Sequence, residues 1–188
     1  MPKETAQRTR LSRADWIEAA TRFGVERGFD NLAVEPLAAR LGTTKGSFYW
    51  HFANRADLLD AVMETWEETA TRAVIAEIAD QDPDRALVSL IDIVLGSSDN
   101  DALEWKLVNS SDHPQIAPAV TRVHALRISY LTELFKRRGL SATRADARAR
   151  VLYAAYLGNL ALLSDPRTSP VRNRAALRRE FIAIAEAP

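Results

Sequence analysis

The sequence predicts an all-α protein of about nine helices: an N-terminal three-helix unit built on a helix-turn-helix, then a larger helical unit. Three observations carry that prediction. Helix-capping signatures recur along the 188 residues, with apolar positions repeating at helical spacing between them. No segment alternates convincingly as a strand would. And residues 34 to 55 join an amphipathic stretch, a glycine turn and a short polar helix with an aromatic end.

Taken in order, Ser12 with Asp15 three residues later reads as a capping box and opens the first helix, which ends near Gly28. In the second, Val34, Leu37, Ala38 and Leu41 fall at i, i+3, i+4 and i+7, so one face is apolar. Pro36 is tolerated there because a helix's first turn has no intrahelical N–H partner to lose. Gly42 supplies the permissive backbone of the turn. Phe48 and Phe52, one helical turn apart, are the apolar residues that answer it.

At about 100° per residue, Gly46 and Trp50 lie opposite Phe48, with Lys45 and Tyr49 on one flank and Ser47 on the other. That outward face is small, polar and basic, as a helix entering a DNA major groove requires. Gly46 permits close approach to base edges, Lys45 reaches a guanine edge or a phosphate, and Ser47 and Tyr49 offer hydroxyls. His51 reads as a donor to DNA phosphate. The competing reading is a solvated helical turn with no partner.

Asn54 with Asp57 opens a fourth helix, running from Arg55 to about Asp80 and stopping before Asp82-Pro83-Asp84. Its apolar positions Leu59, Val62, Trp66, Ala70 and Ala73 keep helical spacing. It reads as a rigid lever, with domains at 1–54 and 55–188. Shorter helices follow at Arg85–Ser97 and Ala102–Ser110, separated by the turn-forming Ser97-Ser-Asp-Asn100. From Pro114 to about Arg138 the set Ile116, Val120, Val123, Leu131 and Leu134 keeps period 3.6, and Arg127 falls on its apolar stripe. Either the arginine snorkels to water, or it needs a buried acidic partner, for which Glu104 is a candidate, or an anionic ligand group.

Thr143 with Asp146 is expected to cap the eighth helix, and Ser169-Pro170 to open the ninth. Between Val151 and Leu163 polar residues are few, so that helix needs cover on nearly every side. One face packs on its own domain and the other calls for a partner. Leu157, Gly158, Ala161, Phe181 and Ile184 are the candidate dimer interface, with Gly158 allowing close approach. A dimer also suits DNA reading, since one recognition helix spans only a half-site. For an effector pocket the candidates are Val62 and Trp66, Trp105 and Asn109 one turn apart, and His124, Arg127 and Tyr130.

The stretch from residue 13 to 59, with Ala19-Ala20, Phe23, Gly28-Phe29-Asp30, Leu37-Ala38, Gly42 and Lys45-Gly-Ser-Phe-Tyr-Trp-His-Phe, resembles the DNA-binding domain of the tetracycline-repressor (TetR) family. The resemblance implies three helices round a helix-turn-helix, a linking fourth helix, and a divergent helical domain that dimerises through a four-helix interface and usually binds a small effector. Carried over, the family's DNA contacts fall on Lys45, Gly46, Ser47, Tyr49 and His51, with Thr44 near the helix start and Arg55 at a phosphate. Two departures matter. Ala33 stands where the family usually has a capping hydroxyl, and Glu35 is acidic where some members are basic, so Glu35 is left off the contact list.

Composition narrows the alternatives. The chain is 47% hydrophobic, enough for one substantial core and a small one, without an apolar run long enough to span a membrane. The absence of cysteine and of an apolar N-terminal stretch points to a cytoplasmic location. Nine of the 25 Lys/Arg and seven of the 25 Asp/Glu fall in residues 1–58, so that part is +2 and the rest −2. The asymmetry is too small to decide for or against DNA. Arg8, Arg10 and Arg13 form either an arm along the DNA or a solvated tail. His113 and His124, eleven residues apart, would be roughly 16 Å apart on one helix and cannot share a metal. There is no cysteine nucleophile, no phosphate loop and no nucleophile elbow, so neither an enzyme nor a cofactor is expected.

The resulting expectation is a homodimeric regulator, most simply a repressor, that binds a double-stranded palindromic operator and is released by a small hydrophobic or amphipathic effector, with no membrane partner. The rival is a helical dimer of the same fold that activates, or that binds DNA weakly and takes no effector.

Overall fold

Ser12 caps the first helix as its spacing with Asp15 predicts: the Asp15 amide donates to Ser12 Oγ at 3.3 Å and the Ser12 amide to Asp15 Oδ2 at 2.6 Å. In the computed structural model, which describes residues 11–96, 98–110, 112–164, 167 and 174–186, this helix is α1 (Arg13–Arg27). A short 3₁₀ turn at Phe29–Asn31 leads to α2 (Val34–Arg40). Ala33 provides no side-chain cap, in keeping with the missing hydroxyl.

The turn after α2 is a Schellman motif. Gly42, at φ 63°, donates to the Ala39 carbonyl at 3.1 Å, and Thr43 donates to Ala38 at 2.9 Å, so two orphan carbonyls of α2 are satisfied. Next comes α3 (Lys45–Phe48), one α-helical turn continued by turn structure to His51. Then α4 (Arg55–Glu67) starts from the Asn54 cap, whose Oδ1 accepts from the Asp57 amide at 3.0 Å.

The predicted fourth helix runs in three consecutive parts. α4 widens into a π-helical turn at Glu68–Arg72 and resumes as α5 (Ala73–Ile78). Beyond it lie α6 (Pro83–Gly96), α7 (Ser98–Val108), α8 (Ile116–Arg137), α9 (Ala142–Ser164) and α10 (Arg174–Glu186). Counting α4 and α5 as one helix gives nine helices and no strand among the described residues.

Several boundaries move. Pro83 opens α6 rather than breaking the chain before it, because proline suits a helix's first position. The backbone of Ser98–Asn100, expected as turn, already belongs to α7, since residues that favour turns also favour a helix's first turn. α8 begins two residues after Pro114. Ser141 caps α9 in place of Thr143: its Oγ accepts from the Arg144 amide at 3.4 Å. The Ser169-Pro170 start, Ser97, and Arg8 and Arg10 lie outside the described residues. Arg13 is the first residue of α1, its guanidinium 4.8 Å above the Phe52 ring.

Contacts group the chain into Met1–Val62 and Met63–Pro188, so the start of α4 belongs with the N-terminal unit. That unit is centred on aromatics. Trp16 meets Phe48 edge-on at 5.3 Å, and Phe48 stacks with Phe52 at 5.4 Å. Gly24 is there for space: a Cβ would fall 2.1 Å from the Phe29 ring. In the C-terminal unit α8 and α9 pack most extensively, and Leu87, Ile91, Leu131, Phe135, Leu152 and Phe181 form the core with their neighbours.

Phe48 is completely buried where α1 and α3 meet, so Phe48→Ala should cost about 3–5 kcal/mol of the N-terminal unit's stability. Chemical denaturation followed by tryptophan fluorescence reads this directly; a loss below about 1 kcal/mol would remove Phe48 as the keystone of the helix-turn-helix.

Candidate nucleic-acid interface and ligand cavity

Burial divides α3 and its extension as their helical phase predicts. Phe48 and Phe52 are at most 1% exposed, whereas Tyr49 is 54% and Trp50 77% exposed. Thr44, Lys45 and Gly46 are exposed beside them and Ser47 is half-buried. Thr44 makes no side-chain cap, and its carbonyl accepts from the Ser47 amide at 3.0 Å. The outward surface is therefore one of hydroxyls, a glycine, an ammonium and two large aromatics.

Electrostatics on this face involve Glu35 after all. Lys45 Nζ pairs with Glu35 Oε1, holding the carboxyl below and the ammonium above their ordinary ranges. Both side chains are exposed, so such a pair exchanges readily with solvent ions.

Two expected phosphate contacts are placed differently. Arg55 Nε donates to the Leu32 carbonyl at 2.6 Å, and Nη2 donates to Phe29 at 2.7 Å and Asp30 at 3.2 Å. This guanidinium closes the carbonyls of the 3₁₀ turn against the start of α4. His51 is half-buried, and its Nε2–H donates to the Leu11 carbonyl at 3.0 Å. Both residues position α3 from inside the unit. The reason is geometric: the Leu11 and Leu32 carbonyls and those of the 3₁₀ turn lie within reach and accept the donors that a phosphate would otherwise take.

Within the C-terminal unit the main feature is a buried ion pair. Glu104 is 3% exposed; its Oε1 pairs with Arg127 Nη1, and its Oε2 accepts from Arg127 Nη2 at 3.2 Å and from Trp66 Nε1 at 2.9 Å. Arg127 Nε further donates to Thr71 Oγ1 at 2.9 Å, and Nη2 to the Ala70 carbonyl at 3.0 Å. Of the three readings of Arg127, the buried acidic partner is the one found. Burial by itself would favour the neutral guanidine, and the Glu104 carboxylate overrides it, raising the Arg127 pKa.

Beside this pair lies a narrow cavity, partly open to solvent. Val74, Ile75, Leu90, Ile91, Val94, Leu131, Leu152 and Phe181 make it apolar, while Thr71, Arg127, Tyr130, Tyr153 and Tyr156 bring polar atoms. Arg127 and Tyr130 come from the expected set. Val62, Trp66, Trp105, Asn109 and His124 do not line it: Val62 and Trp66 are buried, Asn109 donates to the Trp105 carbonyl, and His124 Nδ1 lies 2.8 Å from the Tyr153 hydroxyl. Tyr153 and Tyr156, which count in the sequence only as polar interruptions of an otherwise apolar helix, and the apolar wall from α6 were missed.

Of the candidate dimer residues, Gly158 is exposed with open space where a Cβ would stand, Leu157 and Ala161 are half-buried, and Ile184 is 39% exposed. Phe181 corrects the expectation. It is 4% exposed, packed in the core and facing the cavity, because the apolar side of α10 turns inward at that position. Leu162 and Val151, both nearly 60% exposed at 59% and 58%, extend the apolar surface of α9.

A family model for bacterial regulatory proteins of the tetR family matches residues 17–62, the segment that holds the helix-turn-helix. Residues 17–62 therefore carry a TetR-family helix-turn-helix segment. Over 69 residues, 37% of the chain, the protein is 36% identical to the HTH-type transcriptional regulator TtgR of Pseudomonas putida, spanning 33% of that relative's length. Over 56 residues, 30% of the chain, it is 43% identical to the class A tetracycline repressor protein from transposon 1721 of Escherichia coli, spanning 26% of it. A solved structure of a putative transcriptional regulator from Saccharomonospora viridis in complex with choline superposes with a TM-score of 0.76 at 20% identity, covering 93% of this chain and 95% of that one. The TetR family is one of regulatory proteins and not of enzymes. Among the described residues no His, Cys, Asp and Glu side chains cluster as a metal site, and no helix is long and apolar enough to cross a membrane.

Burial lowers the His124 pKa, so the folded chain holds the imidazole neutral where the unfolded chain, titrating near 6.5, takes a proton. The stability this contributes is present above pH 6.5 and lost as pH falls below it. Thermal midpoints of the wild type should therefore drop more between pH 7.5 and 5.5 than those of His124→Gln; equal drops would assign the acid sensitivity to other groups.

Proposed function

We propose that this protein is a DNA-binding transcriptional regulator that reads a palindromic operator as a homodimer and is released when a small apolar molecule fills the cavity of its C-terminal unit. The observation that carries the reading is the division of α3: buried phenylalanines on one side, and Thr44, Lys45, Gly46, Ser47 and Tyr49 facing out on the other. These five residues are the proposed DNA contacts. Arg55 and His51 are proposed to hold the helix in place rather than to touch phosphate, because carbonyls occupy their donors.

Dimerisation is assigned to the exposed apolar surface of α9 and α10 around Gly158, Leu162 and Ile184. Symmetry then supplies two reading helices for two half-sites. The rod formed by α4, the π-helical turn and α5 supports the coupling, because it starts with the reading unit and its far part walls the cavity. A ligand shifts DNA affinity only by its preference for one of two states of that rod.

The choline complex of the Saccharomonospora viridis neighbour raises the option of a cationic effector. Here the charged residue among the described cavity walls is Arg127, already paired with Glu104. A second cation would meet repulsion, and a carboxylate would compete with Glu104 for the same guanidinium. An uncharged, largely apolar molecule fits these walls best.

Selection from a random duplex library should enrich a palindrome, bound with strong salt dependence. Recovery of no preferred sequence by the dimer would overturn the regulator reading. On the selected duplex, Lys45→Ala and Tyr49→Ala should each lose about tenfold in affinity with dimer mass unchanged. Wild-type affinity in both variants would move the contacts elsewhere. Gly158→Glu places a charge in space that is open within the protomer, so it should fold and sediment as a monomer; an intact dimer would locate the interface on another surface.

A further inference from the structure

Glu67 and Arg72 are five residues apart, yet Arg72 Nε and Nη2 donate to Glu67 Oε1 at 3.1 and 2.6 Å. On an α-helix that spacing separates two side chains by about 140°. The pair meets because the backbone between them is π-helical, with the Ala73 amide donating to the Glu68 carbonyl five residues back. Single π-helical turns are rare and hold one residue more than the α-helix they interrupt.

Guanidiniums hold this turn from two helices. Arg72 belongs to the turn itself, Arg122 of α8 donates to Glu67 Oε2 at 3.1 Å, and Arg127 of α8 donates to the Ala70 carbonyl and the Thr71 hydroxyl. Glu67 is 6% and Thr71 2% exposed, but Arg72 and Arg122 are each more than half exposed, so of the three guanidiniums only Arg127 makes its bonds largely out of water. On the cavity side the same turn has little behind it: Ala70 and Thr71, followed by Val74 and Ile75, border the open space. Arg127 grips the turn at the edge of that same space, so whatever fills the cavity meets the guanidinium and the widened turn together.

Resting on the effector reading above, we propose that the π-helical turn Glu68–Arg72 is the element through which the cavity is read. An apolar ligand filling the space beside Thr71 and Val74 drives Arg127 off the Ala70 carbonyl and the Thr71 hydroxyl. The turn then migrates, and Arg55–Glu67 re-registers against Ala73–Ile78 by up to one residue, about 1.5 Å along the axis. Arg127 is a positioning residue in this scheme. It keeps its bond to Glu104 throughout and gives up only its grip on the helix.

The test uses the full-length dimer, amide hydrogen exchange over residues 66–75 and affinity for the selected duplex. Leu90→Trp, with Val94→Phe as a milder form, puts a tethered apolar group into the cavity in place of a free ligand. Arg127→Lys keeps the charge opposite Glu104 but lacks the planar fork that reaches several acceptors. Deleting Thr69, which is exposed, removes one residue and should leave a continuous α-helix. Arg127→Lys and the filled cavity should each speed exchange over 66–75 by about tenfold, and the filled cavity should weaken duplex binding by about fivefold or more. The deletion should slow exchange there, and filling the cavity in that background should no longer change duplex affinity. Wild-type exchange over 66–75 in both filled variants, or a full affinity response without Thr69, would overturn the proposal. Because exchange is measured without DNA, failure of the wild type to select any duplex would count against the regulator reading alone.

Discussion

The organisation of the C-terminal unit depends on the charge of Arg127 being satisfied out of water. An arginine on the apolar stripe of α8 can be buried only if a carboxylate and further acceptors come to it, since an unpaired buried charge costs several kcal/mol. Glu104 brings α7, the Ala70 carbonyl and Thr71 hydroxyl bring the π-helical turn, and the Tyr153 hydroxyl, 3.5 Å from Nη1, brings α9. Trp66 shares the same carboxylate. One guanidinium thus fixes the relative placement of four chain segments, and the cavity is the space left between them on the apolar side. Hydrophobic packing alone would allow these helices to slide; directional donors do not.

The N-terminal unit solves a different problem by similar means. The proposed reading helix, α3, is one α-helical turn long and has almost no stability of its own, because nucleating a helix costs more than so few hydrogen bonds return. Its conformation is imposed from below by Trp16, Phe48 and Phe52 and from its ends by side chains seated on carbonyls: His51 on Leu11, and Arg55 on Phe29, Asp30 and Leu32. The surface left over carries hydroxyls, a glycine and an ammonium beside the exposed rings of Tyr49 and Trp50.

Much of this was legible in the residues. Caps at Ser12 and Asn54, the phase of Phe48 and Phe52 and the Gly42 turn follow from spacing and elementary chemistry, and the structure has them, whereas for Arg127 the spacing left snorkelling, an acidic partner such as Glu104 and an anionic ligand side by side. The cavity was legible only in part, for a physical reason. Tyr153, Tyr156 and Leu90 show the same periodicity whether they fill a core or border a void, and only packing density separates the two. The π-helical turn left a signal in the Glu67 and Arg72 spacing, faint because oppositely charged residues five apart are common on solvated helices. Phe181 was misplaced since an apolar helix face does not say whether it covers its own core or a neighbour's.

The ion pair between Lys45 and Glu35 bears on how the proposed reading surface treats DNA it should ignore. A phosphate approaching Lys45 takes the place of an exposed carboxylate that already exchanges with solvent ions. On an arbitrary duplex the gain is then only the difference between two exposed ion pairs, which is small. Where a groove also fits Gly46, Ser47 and Tyr49, the exchange is drawn along by contacts that random sequence does not provide. Glu35 in this view acts as a built-in competitor: it gives up some total affinity and subtracts most from the binding that carries no sequence information.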